Sequence, residues 1–119
     1  MADSILILAT KAPYGNEEFF AGARLSLAML ASGLISRSTV LMVGDGTLNA
    51  VATQKPEAIA MPSNPEAIND LADFEGEVYM VEEDLKARVG DAPVLDGVKK
   101  ISWERAQELI RDHQLITTF

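Results

Sequence analysis

The arrangement of apolar segments in residues 4–46 is the strongest constraint on the fold of this chain. A first apolar run, Ile5 to Ala9, is followed by a turn-rich loop and by a mostly apolar segment, Glu17 to Gly33, that predicts a helix. A second apolar run, Thr39 to Val43, then stops at Gly44-Asp45-Gly46. Because nearly every position in both runs is apolar, both faces of these strands must be covered, as in a parallel sheet between helices. The segment therefore predicts a β-α-β unit.

The rest of the sequence continues this alternation of strands and helices. A short helix is predicted over Asn49 to Ala52, with Asp45 or Thr47 as its cap. Further helices are predicted over Glu66 to Phe74, Glu83 to Arg88 and Trp103 to Asp112, and further strands over Glu77 to Val81, Val98 to Ile101 and Leu115 to Phe119. The alternation predicts a three-layer α/β fold, with a mainly parallel five-stranded sheet and helices on both faces. The length of 119 residues predicts a single domain over residues 1–119.

The first predicted helix is apolar on more of its circumference than a single buried face requires. One stripe at helical spacing, expected to face the sheet, consists of Phe20, Ala23, Leu27, Leu30, Ala31 and Leu34. A neighbouring set of apolar or small residues consists of Phe19, Gly22, Ser26, Met29 and Gly33. The wide surface is covered either by a loop or by another subunit, and we favour the subunit. The residues predicted to contact that subunit are Tyr14, Phe19, Phe20 and Met29.

Composition excludes several classes of function. The formal net charge of −8 disfavours direct binding to nucleic acid, because the chain repels phosphate backbones. Nothing resembles a polybasic membrane anchor, and the apolar runs are far shorter than a membrane-spanning helix. The first three residues lack the positive region of a signal peptide, and the chain contains no cysteine, so we expect a cytoplasmic protein without disulfides or thiolate metal sites.

The carboxyl ends of the predicted strands form the candidate ligand-binding crevice, since open α/β sheets bind ligands there. The residues assigned to this ligand or partner crevice are Lys11, Tyr14, Gly15, Asp45, Gly46 and Glu82. The first loop lacks the glycine spacing of a phosphate-binding loop, so a simple strand-to-helix turn is favoured there. Asp45 either contacts a ligand or caps a turn, and we favour the turn. Glu82, Glu83 and Asp84 are more typical of an acidic first helical turn than of a cation site, so we expect no metal and no cofactor.

Nothing in the sequence predicts an enzyme active site. His113 is the only histidine and is expected near the end of a helix, where a positive imidazole suits the helix dipole. No nucleophile elbow precedes it, and Trp103 is more typical of packing or of an interface than of a substrate platform. We therefore assign no catalytic residue.

Four segments, in order and spacing, resemble the DsrE/DsrF/DsrH superfamily, and within it the DsrF/TusC branch. They are Ala12-Pro13-Tyr14-Gly15 before the apolar helix Phe19 to Ala28, the second strand ending in Gly44-Asp45-Gly46, the stretch Val78 to Arg88, and the closing stretch Asp112 to Phe119. The resemblance implies a small α/β subunit that assembles into trimers, hexamers or hetero-hexamers. Complexes of this family relay persulfide sulfur, in tRNA thiolation or in sulfur oxidation, on a cysteine of the DsrE/TusD-type subunit.

This chain departs from that pattern because it has no thiol to receive sulfur. The resemblance then implies a non-catalytic subunit, partnered by itself or by a cysteine-bearing DsrE/TusD-like sister subunit. The alternative is a stand-alone regulatory protein that binds a small molecule or nucleotide in the crevice at the strand ends.

Overall fold

The computed structural model describes residues 2–119, and its centre is one five-stranded sheet. The strands are β1 (Ser4–Ala9), β2 (Arg37–Met42), β3 (Glu77–Val81), β4 (Lys99–Ile101) and β5 (Leu115–Thr118). They lie in the order β4-β3-β2-β1-β5, and each neighbouring pair is parallel. The predicted α/β class and the parallel five-stranded sheet are confirmed.

Helices cover both faces of this sheet. They are α1 (Glu18–Ala31), α2 (Asn64–Asp73), α3 (Glu82–Val89) and α4 (Trp103–Asp112), with 3-10 helices at Gly44–Ala50 and Pro56–Ile59. The short helix expected over Asn49 to Ala52 is wrong in type and position, because the 3-10 helix begins directly after β2 at Gly44. Within residues 2–119, every helix is too short or too polar to cross a lipid bilayer.

Alternating strand residues divide the core into two clusters, one on each face of the sheet. Ile7, Val40 and Val78 align across three strands and pack with α1 and α2. On the other face, Leu6 and Leu41 pack with the inward side of α4. The α4 helix begins where the sequence predicts, because the Ser102 side chain accepts a hydrogen bond from the backbone N–H of Arg105.

The face that α1 turns to the sheet differs from the prediction. Its buried residues are Phe19, Gly22, Ala23 and Ser26, whereas Ala31 and Leu34 of the predicted stripe are exposed. A side-chain carbon at Gly22 would lie only 3.1 Å from Ile7 Cγ2 and 3.2 Å from the ring of Phe119. The close approach of α1 to β1 therefore selects the small-residue stripe. Apart from Phe19, the larger apolar side chains of α1 are only partly buried.

Candidate functional site

The carboxyl ends of β1 and β2 are closed by direct backbone packing. Gly46, in the 3-10 helix after β2, lies against the last residue of β1, where any side-chain carbon would collide with the carbonyl oxygen of Ala9. The N–H of Val43 also donates to that Ala9 oxygen at 3.0 Å. Gly46, which the sequence assigns to a ligand crevice, is thus a site of close backbone contact.

A buried asparagine joins the segments around this contact. The Nδ2 atom of Asn49 donates to the carbonyl oxygens of Lys11 and Gly46, each at 2.9 Å. Its Oδ1 atom accepts a hydrogen bond at 2.8 Å from Nδ2 of Asn64, at the start of α2. Both donors and the acceptor of the amide are therefore used, and Asn49 ties the loop after β1 to the 3-10 helix and to α2. The predicted crevice residue Lys11 contributes its backbone to this contact, while its side chain is exposed.

Asn64 is free to reach Asn49 because a neighbouring residue caps α2. The Ser63 side chain accepts the hydrogen bond from the N–H of Glu66, so the Asn64 side chain is not needed as the cap. Asn64 is the first helical residue and is buried.

Tyr14 and Gly15 shape the loop between β1 and α1. Both have positive φ angles, 70° and 79°, which is uncommon for a residue as bulky as tyrosine. The Tyr14 hydroxyl donates to Oε1 of Gln54 at 2.7 Å, and Nε2 of Gln54 donates to the carbonyl oxygens of Asn49 and Val51. Burial raises the pKa of Tyr14, and the nearby Glu57 carboxylate raises it further. The tyrosine thus extends the Asn49 network rather than lining an open site.

Asp45 belongs to a second set of contacts, which joins the 3-10 helix after β2 to α3. Its Oδ1 atom accepts from Nε of Arg88 at 2.8 Å. The Asp84 carboxylate accepts from the N–H of Gly44 at 2.8 Å and from Nε1 of Trp103 at 3.0 Å. The acidic first turn of α3 is therefore tied to the 3-10 helix after β2 and to α4. Across residues 2–119, no cluster of histidine and acidic side chains is arranged to hold a metal ion.

Glu82 lies apart from the other predicted crevice residues. It lines a cavity of about 250 Å³ between α3, β4 and the loop at residues 90–94. Neither Tyr14 nor Asp45 lines this cavity. The structure thus brings Lys11 and Gly46 together through Asn49, places Tyr14 and Gly15 in the adjoining loop, and leaves Asp45 and Glu82 with different partners.

The residues predicted to form a subunit interface differ in how much of their surface is exposed. Phe19 is only 2% exposed and belongs to the core of this chain, so it offers almost no surface to a partner. Tyr14, Phe20 and Met29 are half-buried, and the Arg24 guanidinium lies 5.9 Å from the centre of the Phe20 ring. These three residues keep surface that a partner can contact.

His113 links α4 to the sheet. Its Nδ1 atom lies 2.6 Å from the carbonyl oxygen of Leu109, and its Nε2 atom lies 2.8 Å from the hydroxyl oxygen of Thr39. Since a carbonyl only accepts, Nδ1 carries a proton and donates to Leu109, while Nε2 shares a hydrogen bond with the Thr39 hydroxyl. His113 lies at the end of α4, as the sequence predicts; it is buried there, and both ring nitrogens make structural hydrogen bonds.

A second polar cluster connects β2 to β3. Arg37 donates to both carboxylate oxygens of Glu77, at 2.7 and 3.2 Å, and the Tyr79 hydroxyl donates to the same carboxylate at 2.8 Å. The hydrogen bond from Arg37 lowers the pKa of Glu77 and raises the pKa of Arg37. Burial, with the hydrogen bond to Glu77, raises the pKa of Tyr79. The sequence gives no signal for this cluster, because its members become neighbours only when β2 and β3 pair.

Comparison with known proteins identifies both a family and a fold. The sequence profile of the DsrE/DsrF-like family matches residues 3–116. The crystal structure of the ychN protein from E. coli has a TM-score of 0.88 and 21% sequence identity, covering 98% of this chain and 99% of that one. A conserved protein of unknown function from Bacteroides thetaiotaomicron, BT1422, has a TM-score of 0.69 and 14% identity, covering 98% of this chain and 95% of that one. No curated protein sequence matches the chain significantly.

The Asn49 contacts predict a large effect of one substitution. Replacing Asn49 with alanine leaves the Asn64 amide and two buried carbonyl groups without their partner. We expect the free energy of unfolding to fall by about 1 to 3 kcal/mol, measured by urea denaturation. The control is Asn69→Ala, on the exposed side of α2, which should change it by less than about 0.5 kcal/mol. Equal effects of the two substitutions would contradict the role given to Asn49.

The lowered pKa of Glu77 predicts a pH-dependent effect. Glu77→Gln removes the charged partner of Arg37 and should lower the free energy of unfolding at pH 7 by about 1 kcal/mol, less than for a buried pair because Arg37 is partly exposed. The contribution of Glu77 is complete above the unfolded pKa near 4.5 and is lost as pH falls through the lower folded value. Denaturation at pH 7 and at about pH 3 should therefore show the difference from wild type shrinking.

The matched control for Glu77 is Glu104→Gln, an exposed carboxylate in the first turn of α4. Its effect should be small at both pH values. A deficit of Glu77→Gln that stays constant from neutral to acid pH would exclude the charged pair as its cause.

Proposed function

Because this chain belongs to the DsrE/DsrF-like family, we propose that it is a non-catalytic, oligomeric subunit of a cytoplasmic sulfur-relay system. The observation that carries the proposal is the combination of a family match over residues 3–116 with the absence of cysteine from the whole sequence. The proposed system is of the DsrE/TusBCD kind and transfers persulfide sulfur in tRNA thiolation or in sulfur oxidation.

The chemistry of persulfide transfer limits what this subunit can contribute. In each step an acceptor thiolate attacks the outer sulfur of the donor persulfide, a new S–S bond forms, and the donor thiol leaves. The acceptor must therefore provide a thiolate, and this chain provides none. Its part is to position a cysteine-bearing sister subunit or to complete an assembly around it.

The surface that best supports assembly is the open edge of the sheet at β5. Leu115 and Ile116 are 44% and 43% exposed there, and Leu115 to Phe119 carries no charged side chain. The opposite edge strand, β4, has Lys99 and Lys100 exposed, the type of residue that prevents edge-to-edge pairing. The protein thus protects one edge of its sheet and leaves the other uncharged.

We therefore place the main subunit contact at β5, with Tyr14, Phe20 and Met29 as a second candidate surface. The partner at β5 is another copy of this chain or a cysteine-bearing sister subunit. Burial of an uncharged strand edge suits either partner, because the net charge of −8 resides outside this segment.

The alternative function, a regulator that binds a small molecule or nucleotide in the strand-end crevice, has less support. The side chains of Tyr14 and Asp45 are held by Gln54 and Arg88, and the backbone at Gly46 packs directly on β1.

The proposed contact at β5 predicts how a positive charge added to that strand changes the oligomeric state. At micromolar concentration, size-exclusion chromatography with light scattering should give a hexamer for the wild type, built from β5-paired dimers that meet through the second surface. Ile116→Lys places an ammonium on the β5 edge and should shift the protein to a smaller species. Leu34→Lys is the matched control, because Leu34 is 60% exposed and lies outside the sheet, and it should keep the wild-type size. A monomeric wild type, with and without a sister subunit, would contradict the proposed assembly.

The relay role predicts a division of labour that labelled sulfur can reveal. The purified chain alone, incubated with a radiolabelled persulfide donor, should retain no label sensitive to a reducing agent. Copurification from the native host should yield a cysteine-bearing sister subunit that takes the label, with transfer faster in the complex than from that subunit alone. The proposal fails if the isolated chain accepts and passes on the label, or if adding it leaves the transfer rate of the sister subunit unchanged.

A further inference from the structure

The cavity beside Glu82 has an apolar floor and a charged rim. Met80, Leu85 and Val94 line it, and the first two are almost completely buried. Its volume of about 250 Å³ lies just below the range of about 300 to 1,000 Å³ typical of sites for drug-sized ligands. The cavity therefore suits a smaller molecule that has one apolar part.

The charged groups of the rim are close together but incompletely paired. Nζ of Lys86 lies 3.9 Å from one carboxylate oxygen of Glu82, and Nζ of Lys100 lies 3.9 Å from the other. Both distances exceed the 2.7–3.2 Å of an N–H···O hydrogen bond, whereas Arg88 approaches Asp45 to 2.8 Å. Exposed pairs at such distances contribute about 0–1 kcal/mol, so a ligand can replace them at little cost.

The rim is electrically balanced in a strongly acidic protein. Lys86 and Lys100 contribute two positive charges, and Glu82 and Asp91 contribute two negative charges. A simple anion would meet both carboxylates, and a simple cation would meet both ammonium groups. A ligand that carries both charges at one end can pair with all of them.

We propose that this cavity binds a small zwitterion with an apolar substituent, specifically an aliphatic α-amino acid. Its carboxylate accepts hydrogen bonds from Lys86 and Lys100, and its ammonium donates to Glu82 or Asp91. Its side chain covers Met80, Leu85 and Val94 and loses contact with water. This site is separate from the β5 edge and goes beyond the proposed relay function.

Successive residues of β4 point to opposite faces of the sheet, and this supplies a matched control for the site. Lys100 lines the cavity, whereas the neighbouring Lys99 lies 5.6 Å from the centre of the Tyr79 ring and does not line it. Replacing either lysine with alanine removes the same charge from the same exposed strand, but only Lys100→Ala removes an ammonium that lines the cavity.

The test is a titration of the full-length protein, followed by NMR chemical shifts of the residues that line the cavity. L-leucine or L-methionine should produce saturable shifts at Leu85 and Val94. Isocaproate and isoamylamine, which are leucine without its ammonium and without its carboxylate, should bind at least about tenfold more weakly. Lys100→Ala and Glu82→Gln should each weaken leucine binding about tenfold or more, while Lys99→Ala leaves it unchanged.

Three results would overturn the proposal. They are the absence of saturable shifts with any aliphatic amino acid, equal affinities for leucine and isocaproate, and equal leucine affinities of Lys100→Ala and Lys99→Ala. Circular dichroism of each variant establishes that it is folded before it is titrated. Since the titration measures neither oligomeric state nor sulfur transfer, its failure leaves the proposed relay function standing, and failure of that function leaves this site standing.

Discussion

The arrangement of the strand ends depends on one buried amide, the side chain of Asn49. A parallel sheet brings the carboxyl ends of its strands to one edge, where the connecting loops must satisfy their own backbone groups. Asn49 does this for two carbonyl groups at once and also receives a hydrogen bond from α2. Within residues 2–119 no buried side-chain nitrogen or oxygen lacks a partner, and this amide alone joins three segments of the chain.

The same contact explains why the usual ligand-binding edge of an α/β sheet is occupied by the protein itself. The 3-10 helix at Gly44–Ala50 lies where a crevice is expected, and Gly46 allows its backbone to touch β1. The cavity that the structure describes is displaced toward β4, where the loop at residues 90–94 leaves space beside α3. Its rim charges come from different elements, such as Lys86 on α3 and Lys100 on β4.

Regular structure could be predicted from this sequence because its signals are local. Strands β1, β2 and β3 follow from apolar runs, α4 follows from the Ser102 cap, and α3 ends at Gly90, which has a positive φ of 70°. The orientation of α1 could not be predicted, since both of its stripes are apolar and only the approach of Ile7 and Phe119 distinguishes them. The partner of Asp45 was equally inaccessible, because Arg88 reaches it only when α3 packs against the 3-10 helix after β2.

The unequal edges of the sheet restrict the symmetry of any assembly built by strand addition. With lysines on β4, an incoming strand has only β5 to join, so a chain of sheets stacked edge to edge cannot propagate. Two copies that pair through β5 are related by a twofold axis, and each consumes the open edge of the other. Rings with an odd number of subunits then require a surface other than β5. Larger closed particles must combine the β5 contact with a contact through that other surface.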